Sequence, residues 1–214
     1  MQEKNIFFVI PARRDSKGFP FKNRKLLDFT TSQIPNELHN KTIVSTNDEE
    51  IIHRLEPTKI NILKRDEKLS HDDVNIRDVM KDVIEKFNIN ENDIIVMLYL
   101  TSPGRKFSDI NKILEFYKEE KVDTLTCCVE PKTHPYLCLF KNGNGKGKQV
   151  IEHDMYRRQD YPECFEVRHF VCIFKAGIIK KLNKNMYNND TYFYKIEHDV
   201  DVDYEYDLQE FLKK

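Results

Sequence analysis

Two adjoining stretches near residue 10 decide the fold that this sequence predicts. The first is the apolar run Ile6-Phe7-Phe8-Val9-Ile10, and the second is the basic loop Pro11-Ala12-Arg13-Arg14-Asp15-Ser16-Lys17-Gly18-Phe19-Pro20-Phe21-Lys22-Asn23. A short apolar run that ends at proline is typical of a buried strand. A polar loop directly after the first strand is typical of open α/β sheets, in which ligands bind beyond the carboxyl ends of the strands.

The loop after this strand carries groups suited to binding a polyphosphate. It presents three cations, Arg13, Lys17 and Lys22, together with the Ser16 hydroxyl and backbone N–H groups. Cations and oriented amides neutralise negative charge that is spread over several phosphates. The loop is not a Walker loop, because the pattern G-x-x-x-x-G-K-[ST] is absent. On these residues alone, a solvated basic loop is an equally good interpretation.

The rest of the chain alternates strand-like and helix-like segments. We predict strands at residues 6–11, 42–45, 60–63, 93–100, 124–129 and 165–174. We predict helices at residues 74–87, 108–120, 176–182 and 205–212, with Ser108 as an N-cap. Residues 132–162 are rich in Gly, Asn, Lys and aromatic side chains and predict an arm outside the sheet, with residues 143–148 as a hairpin tip. The pattern predicts a single α/β domain over residues 1–214, with a mostly parallel, Rossmann-like sheet covered by helices on both faces.

Composition excludes several classes of protein. Hydrophobic residues make up 39% of the chain and charged residues 33%, with a formal net charge of -1. This balance argues against a surface built to neutralise nucleic-acid phosphates. No run approaches the ~18 apolar residues that a membrane span requires, so we expect a cytoplasmic protein without a membrane partner. The five cysteines show no C-x-x-C spacing and predict reduced thiols.

Near the C-terminus, Asp201 and Asp203 alternate along an extended segment, so both carboxylates are expected to face one side. Mg²⁺ prefers one or two carboxylates completed by phosphate oxygens and water, and this pair could supply them. The alternative is that Asp199, Asp201 and Asp203 cap the last helix and keep a sheet edge polar. Asp207 lies inside that helix and predicts a structural role.

The loop also carries a resemblance to a known family. The pattern Ala-Arg-x-x-Ser-Lys-Gly-x-Pro-x-Lys-Asn directly after a strand resembles the signature of the CMP-sialic acid synthetase family of cytidylyltransferases, and all eight fixed positions are filled. Further segments resemble this family in the same order along the chain. They are residues 43–51, Arg65 with residues 69–73, Leu98 with residues 101–105, residues 134–136, residues 157–162 and residues 201–208.

The resemblance implies the nucleotide-diphospho-sugar transferase type of fold and transfer of CMP from CTP with release of pyrophosphate. Arg13 and Lys22 are the implied catalytic residues, with Lys22 closest to the α-phosphate. The implied CTP contacts are Ala12, Arg13, Ser16, Lys17, Lys22, Asn23 and Arg65. Asp201 and Asp203 would hold Mg²⁺ or Mn²⁺. The arm at residues 132–162 resembles the part through which this family forms homodimers.

The acceptor half departs from the family pattern. Tyr99-Leu100 stands where the family carries Gln-Pro, Arg168-His169-Phe170 replaces Asn-Gly-Ala, and only 18 residues separate Asn23 from Thr42. The residues expected to contact the acceptor are Tyr99, Arg157, Arg158, Gln159, Arg168 and His169. Loss of a sugar-binding amide and gain of positive charge suggest a compact anionic acceptor, such as a phosphorylated metabolite. A CTP:phosphoglutamine cytidylyltransferase of capsule synthesis fits this description. The alternatives are a nonulosonic acid (sialic or pseudaminic acid) as acceptor, and a nucleotide-binding protein without catalysis.

Overall fold

A computed structural model describes residues 5–197 and 200–213. Its nine β-strands are β1 (Ile6–Pro11), β2 (Thr42–Thr46), β3 (Asn61–Lys64), β4 (Ile94–Leu98), β5 (Thr124–Val129), β6 (Leu139–Lys141), β7 (Gly147–Gln149), β8 (Glu166–Lys175) and β9 (Tyr192–Lys195). Its five α-helices are α1 (Lys22–Thr31), α2 (Glu49–Leu55), α3 (Ile76–Lys86), α4 (Phe107–Glu120) and α5 (Glu205–Leu212). Short 3-10 turns complete the described chain, and Asp199 lies outside the described residues.

Seven strands form one sheet in the order β3-β2-β1-β4-β8-β5-β9. All neighbouring strands are parallel except that β8 runs antiparallel to both β4 and β5. Alternate residues of β1 enter different cores, since Phe8 and Ile10 pack on one face of the sheet and Val9 packs on the other. The expectation of a mostly parallel sheet covered on both faces is therefore confirmed.

The antiparallel strand β8 brings the acceptor-side residues to the edge where the first loop lies. Because β8 is reversed, its amino end meets the carboxyl ends of β4 and β5. Its pairing with β5 jumps from Thr126↔Cys172 to Cys127↔Arg168. The strand therefore carries extra residues around His169. Such bulges re-aim side chains and are common beside functional sites.

The predicted strands are confirmed to within two residues, and several helices differ from the prediction. Ser108 is not the N-cap of α4: Lys106 occupies that position, and its backbone N–H donates to the Asp109 carboxylate at 2.9 Å. The segment after residue 176 forms a 3-10 turn, Ala176–Lys181. The prediction omitted α1, α2 and β9.

Helix α1 is the omission that matters most for function, because it begins at Lys22. Phe21 precedes it in a left-handed conformation with φ of 56°, and no side chain caps the helix. The positive end of the helix dipole therefore points toward the first loop. The interval between Asn23 and Thr42 is filled by the rest of this helix and a 3-10 turn, Asn36–Lys41.

Two short strands within residues 132–162 lie outside the main sheet. Strands β6 and β7 form a two-stranded hairpin whose tip contains Gly145 with φ of 78°, a conformation that favours glycine. Within the described residues, no helix is both long and apolar enough to cross a membrane. All five cysteines are free thiols, and three of them, Cys127, Cys128 and Cys172, are buried.

Candidate active site

The first loop, residues 12–22, ends at the first residue of α1 and is fixed by side chains from neighbouring elements. The Arg14 backbone N–H donates to Asn47 Oδ1 at 2.8 Å, and Asn23 Nδ2 donates to the Arg13 carbonyl at 2.8 Å. Ala12 is fully buried, and its N–H donates to the Ser45 carbonyl while its own carbonyl accepts from Thr46. Ala12 therefore anchors the loop by its backbone, and its polar groups are already occupied.

The tail segment, residues 200–204, crosses the carboxyl end of β4. Val202 is fully buried, and its N–H donates to the Thr101 carbonyl at 2.8 Å. Since Val202 points inward, the carboxylates of Asp201 and Asp203 on either side of it point away from the core. Asp207 caps α5 by accepting the backbone N–H groups of Asp203 and Tyr204, in agreement with its expected structural role.

The first loop and the tail segment meet. Lys22 Nζ lies 3.1 Å from Asp203 Oδ1, although the two residues are 181 positions apart. A Cβ atom added to Gly18 would lie 3.2 Å from the Tyr204 ring, so the two segments approach each other closely at this glycine. Between them lies a cavity of about 280 Å³, here called the loop cavity. It is lined by Arg13, Ser16, Lys17, Gly18, Lys22, Asp72, Asp203 and Tyr204.

Asp72 pairs with two of the cations that line this cavity. Its carboxylate lies 2.9 Å from Arg13 Nη2 and 3.1 Å from Lys17 Nζ. The hydrogen bond from Lys17, assisted by Arg13, holds the pKa of Asp72 below its ordinary value, so the group is ionised. Sequence reasoning assigned this residue no role. Its contacts span more than 50 positions along the chain, which no local pattern reveals.

Replacing Asp72 by asparagine is expected to tighten CTP binding by about threefold to fivefold. The change removes a negative charge that competes with phosphates for Arg13 and Lys17, and exposed ion pairs of this kind are worth at most about 1 kcal/mol. Isothermal titration with CTP and Mg²⁺ measures the change. Asp73→Asn is the matched control, because none of the contacts of the described chain involves the Asp73 carboxylate. Weaker binding by Asp72→Asn would instead make Asp72 a residue that positions the two cations.

A second cavity, of about 220 Å³, adjoins the loop cavity and shares Arg13 and Asp72 with it. We call it the Arg65 cavity. Arg65 is buried and donates to the Ser45 hydroxyl at 3.1 Å and to the Ser45 carbonyl at 2.7 Å. Burial, with a smaller contribution from Arg13, lowers the pKa of Arg65 to about 10, so its guanidinium is charged at neutral pH. Asn23 also lines this cavity, which therefore contains three of the implied CTP contacts, Arg13, Asn23 and Arg65.

The acceptor-side residues divide into two groups, and the first lies beside the tail segment. Arg168 Nη1 lies 3.1 Å from Asp201 Oδ2, and the His169 ring stacks on Tyr99 with centroids 4.6 Å apart. Desolvation lowers the pKa of His169, while nearby Asp201 and Asp203 oppose that shift. His169 is therefore neutral at pH 7. Tyr99 also lines the Arg65 cavity, so it stands between the two halves of the site.

The second group, Arg157, Arg158 and Gln159, lies exposed on the arm. Arg157 makes a bidentate ion pair with Asp160, at 2.8 and 3.0 Å. Among residues 5–197 and 200–213, no hydrogen bond or ion pair joins these three residues to the first loop or to the tail segment. A part for these three residues in acceptor binding therefore stays a prediction.

Known proteins of similar sequence indicate the family of this chain. A family model described as cytidylyltransferase matches residues 7–214. An N-acylneuraminate cytidylyltransferase of Streptococcus agalactiae serotype V is 28% identical over 207 residues, which cover 91% of this chain and 49% of the relative. Post-translational flagellin modification protein B of Campylobacter coli is 27% identical over 224 residues, which cover 98% and 95% of the two chains. The chain spans about half the length of the Streptococcus relative.

Solved structures show the same fold at low sequence identity. A CMP:2-keto-3-deoxy-manno-octonic acid synthetase complexed with CTP has a TM-score of 0.65 at 12% identity, and the match covers 97% of each chain. A 4-diphosphocytidyl-2C-methyl-D-erythritol synthase of Anaerococcus prevotii has a TM-score of 0.62 at 13% identity, with 99% of this chain and 97% of that chain covered. These neighbours share the nucleotide-diphospho-sugar transferase architecture.

Proposed function

Since the chain belongs to the cytidylyltransferase family, we propose that it transfers CMP from CTP to an anionic small molecule and releases pyrophosphate. The observation that carries this proposal is the 3.1 Å contact between Lys22 and Asp203. It joins the cationic first loop to the Asp203 carboxylate of the tail segment beside one cavity. A triphosphate placed there would meet cations, backbone amides and carboxylates together.

The reaction is an in-line displacement at phosphorus. An acceptor oxygen attacks the α-phosphorus of CTP and forms a new P–O bond, while the bond to the oxygen that bridges the α- and β-phosphates breaks. Pyrophosphate leaves with that bonding pair. Because negative charge grows on the leaving group, catalysis depends on positioning and on fixed positive charge.

Different residues of the two cavities bind different parts of CTP. Lys22 lies at the start of α1 and beside Asp203, so we assign its ammonium group to the α-phosphate. Arg13 and Lys17 hold the departing β- and γ-phosphates and exchange their present partner, Asp72, for phosphate oxygens. Arg65 and Asn23 face the adjoining cavity and bind the nucleoside.

Asp201 and Asp203 supply the hard oxygen donors that Mg²⁺ prefers. Within the described residues, no group of three or more His, Cys, Asp or Glu side chains could hold a metal alone. Two carboxylates suit Mg²⁺ when substrate phosphates complete its coordination, and the Asp203 side chain is 64% exposed and open to such a ligand. When bound, the ion would neutralise phosphate charge. When no ion is bound, Lys22 and Arg168 balance the charges of the two carboxylates.

A phosphorylated metabolite, such as phosphoglutamine, is the acceptor class that the surroundings of Asp201 favour. Arg168 contributes a cation there, and a phosphate oxygen is already anionic at neutral pH. Such a nucleophile needs no side chain to remove a proton. Tyr99 stands where the family carries Gln, so the chain also lacks an amide group suited to hydrogen bonding with a sugar.

A nonulosonic acid is the second candidate acceptor. The Streptococcus relative is named as an N-acylneuraminate cytidylyltransferase. His169 is neutral and lies near Asp201 and Asp203, where it could accept the proton of an attacking hydroxyl group. This candidate predicts that His169→Gln, which removes the base, abolishes turnover.

Pyrophosphate release from CTP and Mg²⁺, measured with phosphoglutamine and with N-acetylneuraminate in parallel, separates the two candidates. We expect release with phosphoglutamine only. Release with N-acetylneuraminate alone would establish the second candidate. No release with any acceptor, from a chain that still binds CTP, would favour the third candidate, a nucleotide-binding protein without catalysis.

We further propose that the arm forms a homodimer. It exposes apolar side chains over one short stretch of chain, among them Leu139 at 64%, Phe140 at 65% and Tyr156 at 95%. Such a concentration of exposed apolar surface marks an interaction site in a folded protein. The resemblance of this segment to the family's dimerisation arm points to a second copy as its occupant.

The double change Leu139→Asp and Phe140→Asp is expected to convert the dimer into a monomer. Charged groups would be desolvated in the interface, while the isolated hairpin keeps them in water. Size-exclusion chromatography with light scattering measures the mass. Leu212→Asp is the matched control, because Leu212 is 62% exposed but lies on α5. A wild-type mass equal to one chain would contradict the proposal.

A further inference from the structure

A third cavity lies at the same edge of the sheet, beyond the nucleotide site. We call it the Arg168 cavity, and its volume is about 600 Å³. It is lined by Val129, Glu130, Pro131, Lys132, Arg168, Lys195, Ile196 and Glu197. These residues follow the carboxyl ends of β5 and β9 or belong to the amino end of β8. The cavity therefore occupies the part of the edge where ligands of α/β sheets bind.

This cavity adjoins the proposed reaction centre. Arg168 lines it and also contacts Asp201 at 3.1 Å. Asp201 is two residues from Asp203, which contacts Lys22. A molecule that fills the Arg168 cavity thus contacts the side chain that pairs with Asp201. The volume lies within the range of small-molecule sites.

The charges around the cavity are not all balanced within the protein. Lys195 pairs with Glu130 at 2.5 Å, and Arg168 pairs with Glu166 and Asp201. Over the part of the chain that the structure describes, neither Lys132 nor Glu197 has an ion-pair partner. A cation and a carboxylate without an ion-pair partner among the described residues therefore line the same cavity.

We propose that Lys132 and Glu197 select an acceptor that carries both a carboxylate and an ammonium group, as the α-carbon of an amino acid does. Lys132 binds the carboxylate, Glu197 binds the ammonium group, and the acceptor's phosphate extends toward Arg168 and Asp201. This inference rests on the proposed transfer reaction and narrows its acceptor. A sugar acid offers Glu197 no cation, which distinguishes the two acceptor classes at this pair.

The assignment is tested with the full chain, CTP, Mg²⁺ and three acceptors. The first is phosphoglutamine. The second, N-phosphorylated glutaramic acid, is its analogue without the α-amino group, and the third, N-phosphorylated 4-aminobutanamide, is its analogue without the α-carboxylate. For the wild type we expect kcat/KM about 10-fold higher with phosphoglutamine than with either analogue, as befits one charged hydrogen bond in a partly exposed site. Glu197→Gln should remove the discrimination against the analogue that lacks the amino group and keep the discrimination against the analogue that lacks the carboxylate. Lys132→Met should show the reverse pattern.

The crossed pattern separates recognition from a general loss of structure, which would lower activity with all acceptors equally. Lys118→Met and Glu119→Gln, on the exposed face of α4, are the matched controls and should behave as the wild type. Equal wild-type rates with the three acceptors, or turnover with N-acetylneuraminate alone, would overturn this inference and leave cytidylyl transfer standing. Failure of the wild type to release pyrophosphate with any acceptor would overturn both.

Discussion

Lys22→Ala is expected to lower kcat by about 100- to 1,000-fold, the usual cost of removing a fixed charge that stabilises a transition state. Its ammonium group is the cation that joins the first loop to the tail segment, 3.1 Å from Asp203. Steady-state pyrophosphate release measures the loss. The fold should survive, because Asp203 is 64% exposed and is solvated once its partner is removed. We expect the free energy of unfolding to change by no more than about 1 kcal/mol.

Lys25→Ala supplies the matched control for this change. Lys25 lies on the same helix, α1, and also pairs with a tail-side carboxylate, since its Nζ lies 2.9 Å from Glu205. It does not line the loop cavity. The control should therefore lose a comparable surface ion pair and keep its rate. Equal rates for both variants would show that Lys22 serves the contact between segments and not the phosphate.

Asp203→Asn is expected to lower kcat/KM by about 100-fold at a fixed Mg²⁺ concentration, or about 2.7 kcal/mol of lost transition-state stabilisation. The substitution keeps the shape of the side chain and removes the charge that makes it a good ligand for a hard cation. The concentration of Mg²⁺ required for half-maximal rate should rise. Binding of Mn²⁺ in the presence of CTP, measured by electron paramagnetic resonance, gives a readout that does not depend on turnover.

Glu205→Gln is the matched control for Asp203→Asn, because Glu205 makes the neighbouring ion pair with Lys25. It should leave both the rate and the binding of Mn²⁺ unchanged. A normal rate and normal Mn²⁺ binding in Asp203→Asn would show that the tail carboxylates only keep α5 and the sheet edge in place. That result would support the structural alternative for these aspartates.

The strands of the main sheet could largely be predicted from sequence, because each buried strand is a short apolar run between turn residues. Residues 6–11 and 124–129 were predicted with the bounds that the structure has. Helix α1 could not be recognised in this way, since it begins inside the motif at Lys22 and has no side-chain cap. Helix α2 did carry a signal, because Asp48 caps it by accepting the Glu50 N–H at 3.0 Å.

The candidate site could be predicted where one segment carried the whole pattern. The first loop, residues 12–22, is such a segment, and its cations Arg13, Lys17 and Lys22 line one cavity. Pairings between distant segments cannot be predicted from a local sequence pattern. The pairs of Asp72 with Lys17 and of Arg168 with Asp201 arise only when the segments after β1 and β3, strand β8 and the tail segment meet at one edge of the sheet. The same limitation hid the cavity that Lys132 and Glu197 share, which depends on the placement of β9.

A crystal structure of the protein with CTP and Mg²⁺ tests most directly whether one nucleotide joins the first loop to the tail segment. We expect the triphosphate in the loop cavity, with an α-phosphate oxygen within hydrogen-bonding distance of Lys22 Nζ and the metal bound by Asp203 and phosphate oxygens. Arg13 and Lys17 should have exchanged Asp72 for the β- and γ-phosphates. A nucleotide bound with its α-phosphate remote from both Lys22 and Asp203 would contradict the proposed mechanism.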